Sequence, residues 1–257
     1  MRSPEEHRAA FEGFLAGLEF PSDLGNLEEA VRYALAGGGK RIRPVLCMAT
    51  TEAVGGDPDD AFDAAGSIEL IHSFSLVHDD LPALDDDDER RGRPAVHRRF
   101  GEATAILAGD ALLNEAFALA LRYSLPHVAR EVALATSGMI GGQYLDVNGG
   151  RKDRLELNRL KTGRLFEASV LCGLWAAVEV RAEAQARWRA FGADYGFLYQ
   201  VVDDLLDDDG LVNERGREAT LELAVETEER ARSRLDELDA DTSVLTELVA
   251  ELSARKP

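Results

Sequence analysis

Apolar residues recur every three to four positions through most of this chain, and the tracts at 103–122, 164–178 and 217–236 follow the period of a helix. None of them alternates at the two-residue period of a strand. Ala and Leu are frequent in these tracts, and both are strong helix formers. The pattern predicts helices over 27–36, 59–80, 103–122, 126–142, 153–162, 164–178, 184–208, 214–236 and 241–254. Gly37-Gly38-Gly39 stops the first of these, and Pro44 opens a further helix at its first position, where a missing N–H costs nothing. Gly55-Gly56-Asp57-Pro58 reads as a turn, Gly141-Gly142 as a break, Gly149-Gly150 as a loop, and 86–101 as a loop rich in arginine. Acid and arginine pairs at helical spacing in 226–252 favour a packed helix pair over an acidic tail.

The chain has 257 residues, is 45% hydrophobic and shows no repeat, linker or low-complexity boundary. A single domain over 1–257, all-α in class, is therefore expected. Cys47 and Cys172 lie in apolar tracts without metal-ligand spacing, as buried free thiols of a reducing cytoplasm would. The first residues are polar and acidic, unlike a signal peptide, and no apolar run is expected to reach the length of a membrane span. With 48 acidic against 29 basic residues and a net charge of −19, a nucleic-acid partner is disfavoured. That acidity makes the few basic clusters informative.

Two acidic clusters adjoin apolar helix instead of polar loop. Asp79, Asp80 and Asp85 follow Ile68-Glu69-Leu70-Ile71-His72-Ser73-Phe74-Ser75-Leu76-Val77, and Asp203, Asp204 and Asp207 follow Tyr199-Gln200-Val201-Val202. Asp203 and Asp207 share a helix face, where like charges repel unless a cation lies between them. Asp79 and Asp85 would stand about 240° apart on an ideal helix. Pro82 makes an ideal helix unfavourable there, and a distortion or helix exit would let both acids reach one cavity. Basic groups occur at Lys40 and Arg43, at Arg90 and Arg91, and at Lys161.

Carboxylates, hard divalent ions and cationic side chains together suit the gripping and release of diphosphates. A bland reading stands beside this one: a solvated acidic turn, a frayed helix end and a core histidine at His72. Nucleotide binding fits poorly, since GGGKRIRP is not a GxxxxGK[ST] loop and no GxGxxG occurs.

The stretches GGGKRIRPVL (37–46), IELIHSFSLVHDDLPALDDDDERRGRPAVH (68–97), FGEATAILAGDALL (100–113), GMIGGQYLD (138–146), KTG (161–163) and YQVVDDLLD (199–207) resemble, in order, the trans-isoprenyl diphosphate synthases, the farnesyl and geranylgeranyl diphosphate synthase family. The resemblance implies an isoprenoid synthase fold of ten or more helices around a central cavity, a homodimer, and condensation of isopentenyl diphosphate with an allylic diphosphate. It implies Mg²⁺, three ions with substrate bound, held by Asp79, Asp80 and Asp85 on one wall and by Asp203, Asp204 and Asp207 on the other. Lys40, Arg43, His72 and Arg91 would hold isopentenyl diphosphate. Arg90, Lys161, Thr162 and Gln200 would contact the allylic partner, with Thr162 and Gln200 also placing dipoles near the developing cation. Phe74, with small Ser75 beside it, would floor the tail tunnel at the length of a C15 product, farnesyl diphosphate. Gln143 and Asp146 are expected near the second carboxylate wall.

One departure stands out. After Asp207 the chain runs through Asp208-Asp209-Gly210 directly into Leu211, where the family carries a longer loop with two lysines. A non-catalytic subunit therefore remains an alternative, beside a geranylgeranyl product and a class I terpene cyclase.

Overall fold

The computed structural model describes residues 1–148, 154–177 and 182–255. Helices α1 (Pro4–Ala16), α2 (Leu27–Leu35), α3 (Ile42–Ala53), α4 (Phe62–Asp79), α5 (Val96–Phe100), α6 (Glu102–Ala120) and α7 (His127–Val147) form the first part. Then come α8 (Arg154–Asn158), a π-helix (Arg159–Gly163), α9 (Arg164–Ala177), α10 (Ala182–Asp207), α11 (Leu211–Arg215), α12 (Arg217–Asp236) and α13 (Ser243–Ser253). The only strands among the described residues are β1 (Glu89–Arg90) and β2 (Arg93–Pro94), a minimal antiparallel hairpin.

Several elements differ from the sequence expectation. Helix α1 was not expected, yet its start carries a capping box: the Ser3 hydroxyl accepts from the Glu6 N–H at 3.3 Å, and Glu6 Oε2 accepts from the Ser3 N–H at 2.7 Å. Its buried stripe is Pro4, His7, Phe11 and Leu15. The arginine loop contains the β1–β2 hairpin and α5. Its two-residue turn, Arg91-Gly92, has both φ angles positive, as type I′ turns require. Gly141-Gly142 does not break α7, which runs through both; a Cβ on Gly142 would lie 2.7 Å from the Lys161 backbone nitrogen, so glycine permits contact with the π-helix. The Gly149-Gly150 loop lies outside the described residues.

Helix α6 also corrects the expectation about apolar runs, for its length and hydropathy suffice to cross a membrane. Half of that stretch is buried within the fold, chiefly against α4.

Two adjoining cores organise the bundle. The first joins α1, α2, α4, α6 and one face of α7; the second joins α10, α12 and α13. Helices α3 and α9 serve both, with Cys47 and Cys172 facing the first and Val45, Leu46 and Leu171 the second. A Cβ at Gly173 would overlap the Cys47 carbonyl, which is why α3 and α9 can lie so close. Both cysteines are free and fully buried. Each large aliphatic or aromatic side chain buried in these cores contributes about 1.5–3 kcal/mol, fixing the helices whose ends carry the polar groups described next.

Candidate active site

Helix α4 delivers the first acidic cluster and then ends. Asp80 caps it, the Leu81 N–H donates to the His78 carbonyl at 3.1 Å, and the chain doubles back so that the Asp85 N–H donates to the Asp79 carbonyl at 2.9 Å. A helix exit thus brings together two acids that a continuous helix would hold apart. Burial pushes the Asp79 carboxyl up to about 6; Lys161 opposes the shift, while Asp85 and Asp80 add to it. Asp80 is only 2% exposed and accepts from Arg90 Nε at 2.9 Å, so its charge is already paired. Burial still raises its pKa overall.

Asp79 opens into a cavity of about 430 Å³ between α4, α7 and the π-helix. Its polar lining includes Arg43, His72, Asp79, Gln143, Lys161 and Thr162; Phe74, Leu76, Met139, Ile140 and Leu165 are among its apolar walls. Ser75 lines it too, its hydroxyl turned back onto the His72 carbonyl at 2.9 Å. Phe74 is 7% exposed and meets the His78 ring edge-on at 5.0 Å. His78 in turn lies 3.0 Å from the Ile106 carbonyl, in space that Gly109 leaves open.

Lys161 and Thr162 reach this cavity because residues 159–163 are wound as a π-helix, a form that recurs at functional sites. Lys161 Nζ meets Asp146 at 3.0 Å, and Gln143 Nε2 lies 3.4 Å from Asp85. Gln143 thus meets the first carboxylate wall and Asp146 pairs with Lys161, where the sequence reading put both near the second wall.

A second cavity, of about 400 Å³, adjoins the first and shares Arg43 and His72 with it. Lys40, Arg41, Arg43 and Arg91 make it basic, and Glu69 and Tyr199 complete its lining. Arg43 is held flat over Phe166 at 4.3 Å and near Tyr199 at 5.8 Å, and its buried Nε has no hydrogen-bond partner among the described residues. The Arg91 guanidinium bonds the Gly38 carbonyl and lies 3.5 Å from His72 Nε2. Burial, together with Arg43, Arg91, Arg41 and Arg90, holds His72 well below the ordinary histidine range, leaving it neutral at pH 7.

Sequence reasoning missed Arg41 and its partners. Arg41 sits at the start of α3 at φ 46°, an uncommon backbone for a side-chain-bearing residue, and is 4% exposed. It pairs with Glu12 at 2.7 Å and with buried Glu69, and donates to the Leu35 carbonyl at 2.8 Å. The detectable signal was Glu69 itself, an isolated acid inside the apolar run 68–71.

The second acidic cluster ends α10. Burial raises Asp203, as do Asp207 and Asp204, while Lys40 and Arg43 act in the opposite sense. Asp203 thus lies within electrostatic range of Lys40 and Arg43. Asp204 turns elsewhere: it accepts from Gln200 Nε2 at 2.7 Å and from the Leu211 N–H at 2.9 Å. A Cβ on Gly210 would overlap its carboxylate. Gln200 lines a separate pocket with Asn158, Gly163 and Arg230, not the main cavity. Asp207 is exposed.

The donors Asp79 with Asp85, and Asp203 with Asp207, are all oxygen atoms. Burial and mutual repulsion raise Asp79 and Asp203, so both acids favour a nearby cation. Such a set fits a hard divalent ion like Mg²⁺.

Solved structures share this architecture. A geranyltransferase from Legionella pneumophila superposes with a TM-score of 0.85 at 32% identity, covering 98% of this chain and 96% of that one. A heterodimeric geranylgeranyl pyrophosphate synthase large subunit of Arabidopsis thaliana is 42% identical over 216 residues, 77% of this chain and 58% of that protein. The chain thus spans less than two thirds of that relative's length. A farnesyl diphosphate synthase of Micrococcus luteus is 40% identical over 205 residues, covering 74% of this chain and 69% of that protein. The polyprenyl synthetase family matches residues 25–221, which include both acidic clusters and the basic cavity, and the chain belongs to that family.

Proposed function

We propose that this chain catalyses head-to-tail (1′-4) condensation of isopentenyl diphosphate with an allylic diphosphate and releases farnesyl diphosphate. The observation that carries the reading is the pair of adjoining cavities that share Arg43 and His72. One is basic and suits a diphosphate; the other joins acids and Lys161 to an apolar tunnel and suits an allylic diphosphate with its tail.

Lys40, Arg43 and Arg91 bind the isopentenyl diphosphate group, and neutral His72 orients it. Lys161 and Arg90 bind the allylic diphosphate, and Thr162 turns its dipole toward the carbon that loses it. Mg²⁺ held by Asp79, Asp85 and Asp203 would supply charge neutralisation for the departing diphosphate. The isopentenyl double bond then attacks the allylic carbon, and the released diphosphate takes the proton. Apolar walls exclude the water that would quench the cation. Phe74 lies five residues, about 7.5 Å of helix rise, before Asp79, which sets the tunnel floor at a C15 tail.

Mass spectrometry of products from isopentenyl with dimethylallyl or geranyl diphosphate, with Mg²⁺, tests the reading. A C15 diphosphate is expected, and Phe74→Ala should move it toward C20. A C20 product from the unaltered protein would assign it geranylgeranyl synthesis. Turnover of the allylic substrate without isopentenyl diphosphate would reveal a cyclase instead.

A second reading, a non-catalytic subunit, draws on the tight turn after Asp207, where Asp204 and Gln200 are engaged with each other. Absence of any Mg²⁺-dependent product would favour it. The protein is proposed to act as one cytoplasmic domain, paired with a second copy through exposed Ile106, Leu107, Ile140, Tyr144 and Val147 on α6 and α7. Light scattering of the purified protein measures that state.

A further inference from the structure

His97, which follows the arginine hairpin, carries a buried side chain neither of whose ring nitrogens has a hydrogen-bond partner among the described residues. It lies in the first turn of α5 and is only 5% exposed. Buried polar groups are almost always hydrogen-bonded or ligated, so such a ring is expected to have a ligand. Two carboxylates stand beside it: one donor atom each from Asp86, Asp88 and His97 lies within 4.8 Å of the other two.

From this juxtaposition we infer a divalent-cation site at Asp86, Asp88 and His97, separate from the Asp79–Asp85 site and selective for a borderline ion such as Zn²⁺. The donor set decides the ion class. Imidazole with two carboxylates suits zinc or cobalt(II), whereas the all-oxygen set at Asp79 and Asp85 suits magnesium. Two carboxylates also neutralise one divalent charge.

The frame is built in advance. The Ala95 N–H donates to the Asp88 carbonyl at 2.8 Å, and Glu89 pairs with Pro94 directly above it. Residue 88 and the start of α5 are thereby fixed relative to each other. Asp86 holds a positive φ of 54°, and its amide bonds the Leu81 carbonyl at 3.2 Å. Arg98 occupies Asp88 Oδ1 and leaves the other carboxylate oxygen for a cation. Donors on a tetrahedral zinc sit roughly 3.4 Å apart, so closing the site asks the exposed aspartates to move by about 1 Å. A bound ion would clip the segment after Asp85 to α5 across the hairpin. It would thus fix the strand pair that presents Arg90 and Arg91.

Isothermal titration of Zn²⁺ into substrate-free protein, carried out in the Asp79→Asn background to weaken the neighbouring site, tests the inference. Binding of one ion per chain is expected, with at least tenfold weaker affinity in His97→Gln and in exposed Asp86→Asn. Co²⁺ should give visible d–d absorption that His97→Gln abolishes, and excess Mg²⁺ should not displace it. Zn²⁺ should also slow hydrogen exchange across 88–97. Asp86→Asn keeps the test decisive if His97→Gln fails to fold. No binding at millimolar Zn²⁺, unchanged affinity in the folded variants, or loss of the site in the Asp79→Asn background would overturn the proposal.

Discussion

The two acidic clusters look alike in sequence and are built differently. At the first, the helix ends, the chain doubles back, and Asp79 faces a large cavity with Asp85 beside it. At the second, Asp203 feels the charges of Lys40 and Arg43 while Asp204 binds the backbone of the turn that follows. Adjacent aspartates thus divide by whether a protein donor already engages the carboxylate. In the first pair the engaged member is Asp80, held by Arg90; in the second it is Asp204.

The sharpest way to break this comparison is to remove one member of each kind. Asp79→Ala and Asp203→Ala should each cut turnover by on the order of 10²–10³-fold with the helical circular dichroism unchanged. Asp204→Ala should instead lower stability by about 1–3 kcal/mol, because it leaves the buried Leu211 N–H without its acceptor. A thermal melt alongside the assay separates the two, and an unchanged melting temperature with lost activity in Asp204→Ala would erase the distinction.

Next in size are the two cavities. Lys40→Ala should raise the KM for isopentenyl diphosphate roughly tenfold, about 1.4 kcal/mol of binding. Lys161→Ala should act on the allylic substrate. Initial rates with each substrate varied in turn decide it, and equal effects on both constants would merge the cavities into one site.

A subtler effect concerns Glu69. Its removal leaves buried Arg41 short of one carboxylate, a loss of about 3–5 kcal/mol for an ion pair broken inside the fold. Glu69→Gln keeps the shape and a hydrogen bond, and should recover most of the stability while still raising the KM for isopentenyl diphosphate. Normal KM in that variant would show that the Arg41 pairing supports the fold and not the basic cavity.

The smallest effect is pH dependence. Burial pushes the Asp79 carboxyl in the folded protein up to about 6, above the ordinary 3.8. Between those values the folded state binds more protons than the unfolded one, so this group's contribution to stability falls as pH rises from about 4 to 6. In metal-free protein Asp79→Asn should flatten that slope in denaturant titrations across the window. Mg²⁺ affinity should rise over the same interval, since the protonated acid is a poor ligand. A slope unchanged by Asp79→Asn would mean that the acid titrates normally.

Legibility in the sequence followed the range of the interactions. Long periodic tracts such as 103–122 and 217–236 announced helices because a single face repeats many times. The π-turn at 159–163 has no periodic signature, and the hairpin 89–94 is too short and too charged to alternate. Helix α1 was readable through Ser3 and Glu6, a local signal that the polar composition of the segment obscured. At the site, Asp79, Lys161 and Arg43 stood out as charges beside apolar helix. The separation of Gln200 from the main cavity, and the attachment of Gln143 to Asp85, depend on how α7 and α10 are rotated against their neighbours. No residue pattern within either helix encodes that rotation.

The wider turn at Arg159–Gly163 acts as a dislocation in an otherwise continuous screw running from α8 through α9. One surplus residue advances the phase by about 100°, so the side that presents Lys161 and Thr162 is offset from the side on which Phe166 and Val170 pack. A regular helix would have to compromise between the two. With the defect in place, the ligand-facing register and the packing register become separate variables, and either can change over evolutionary time without dragging the other with it.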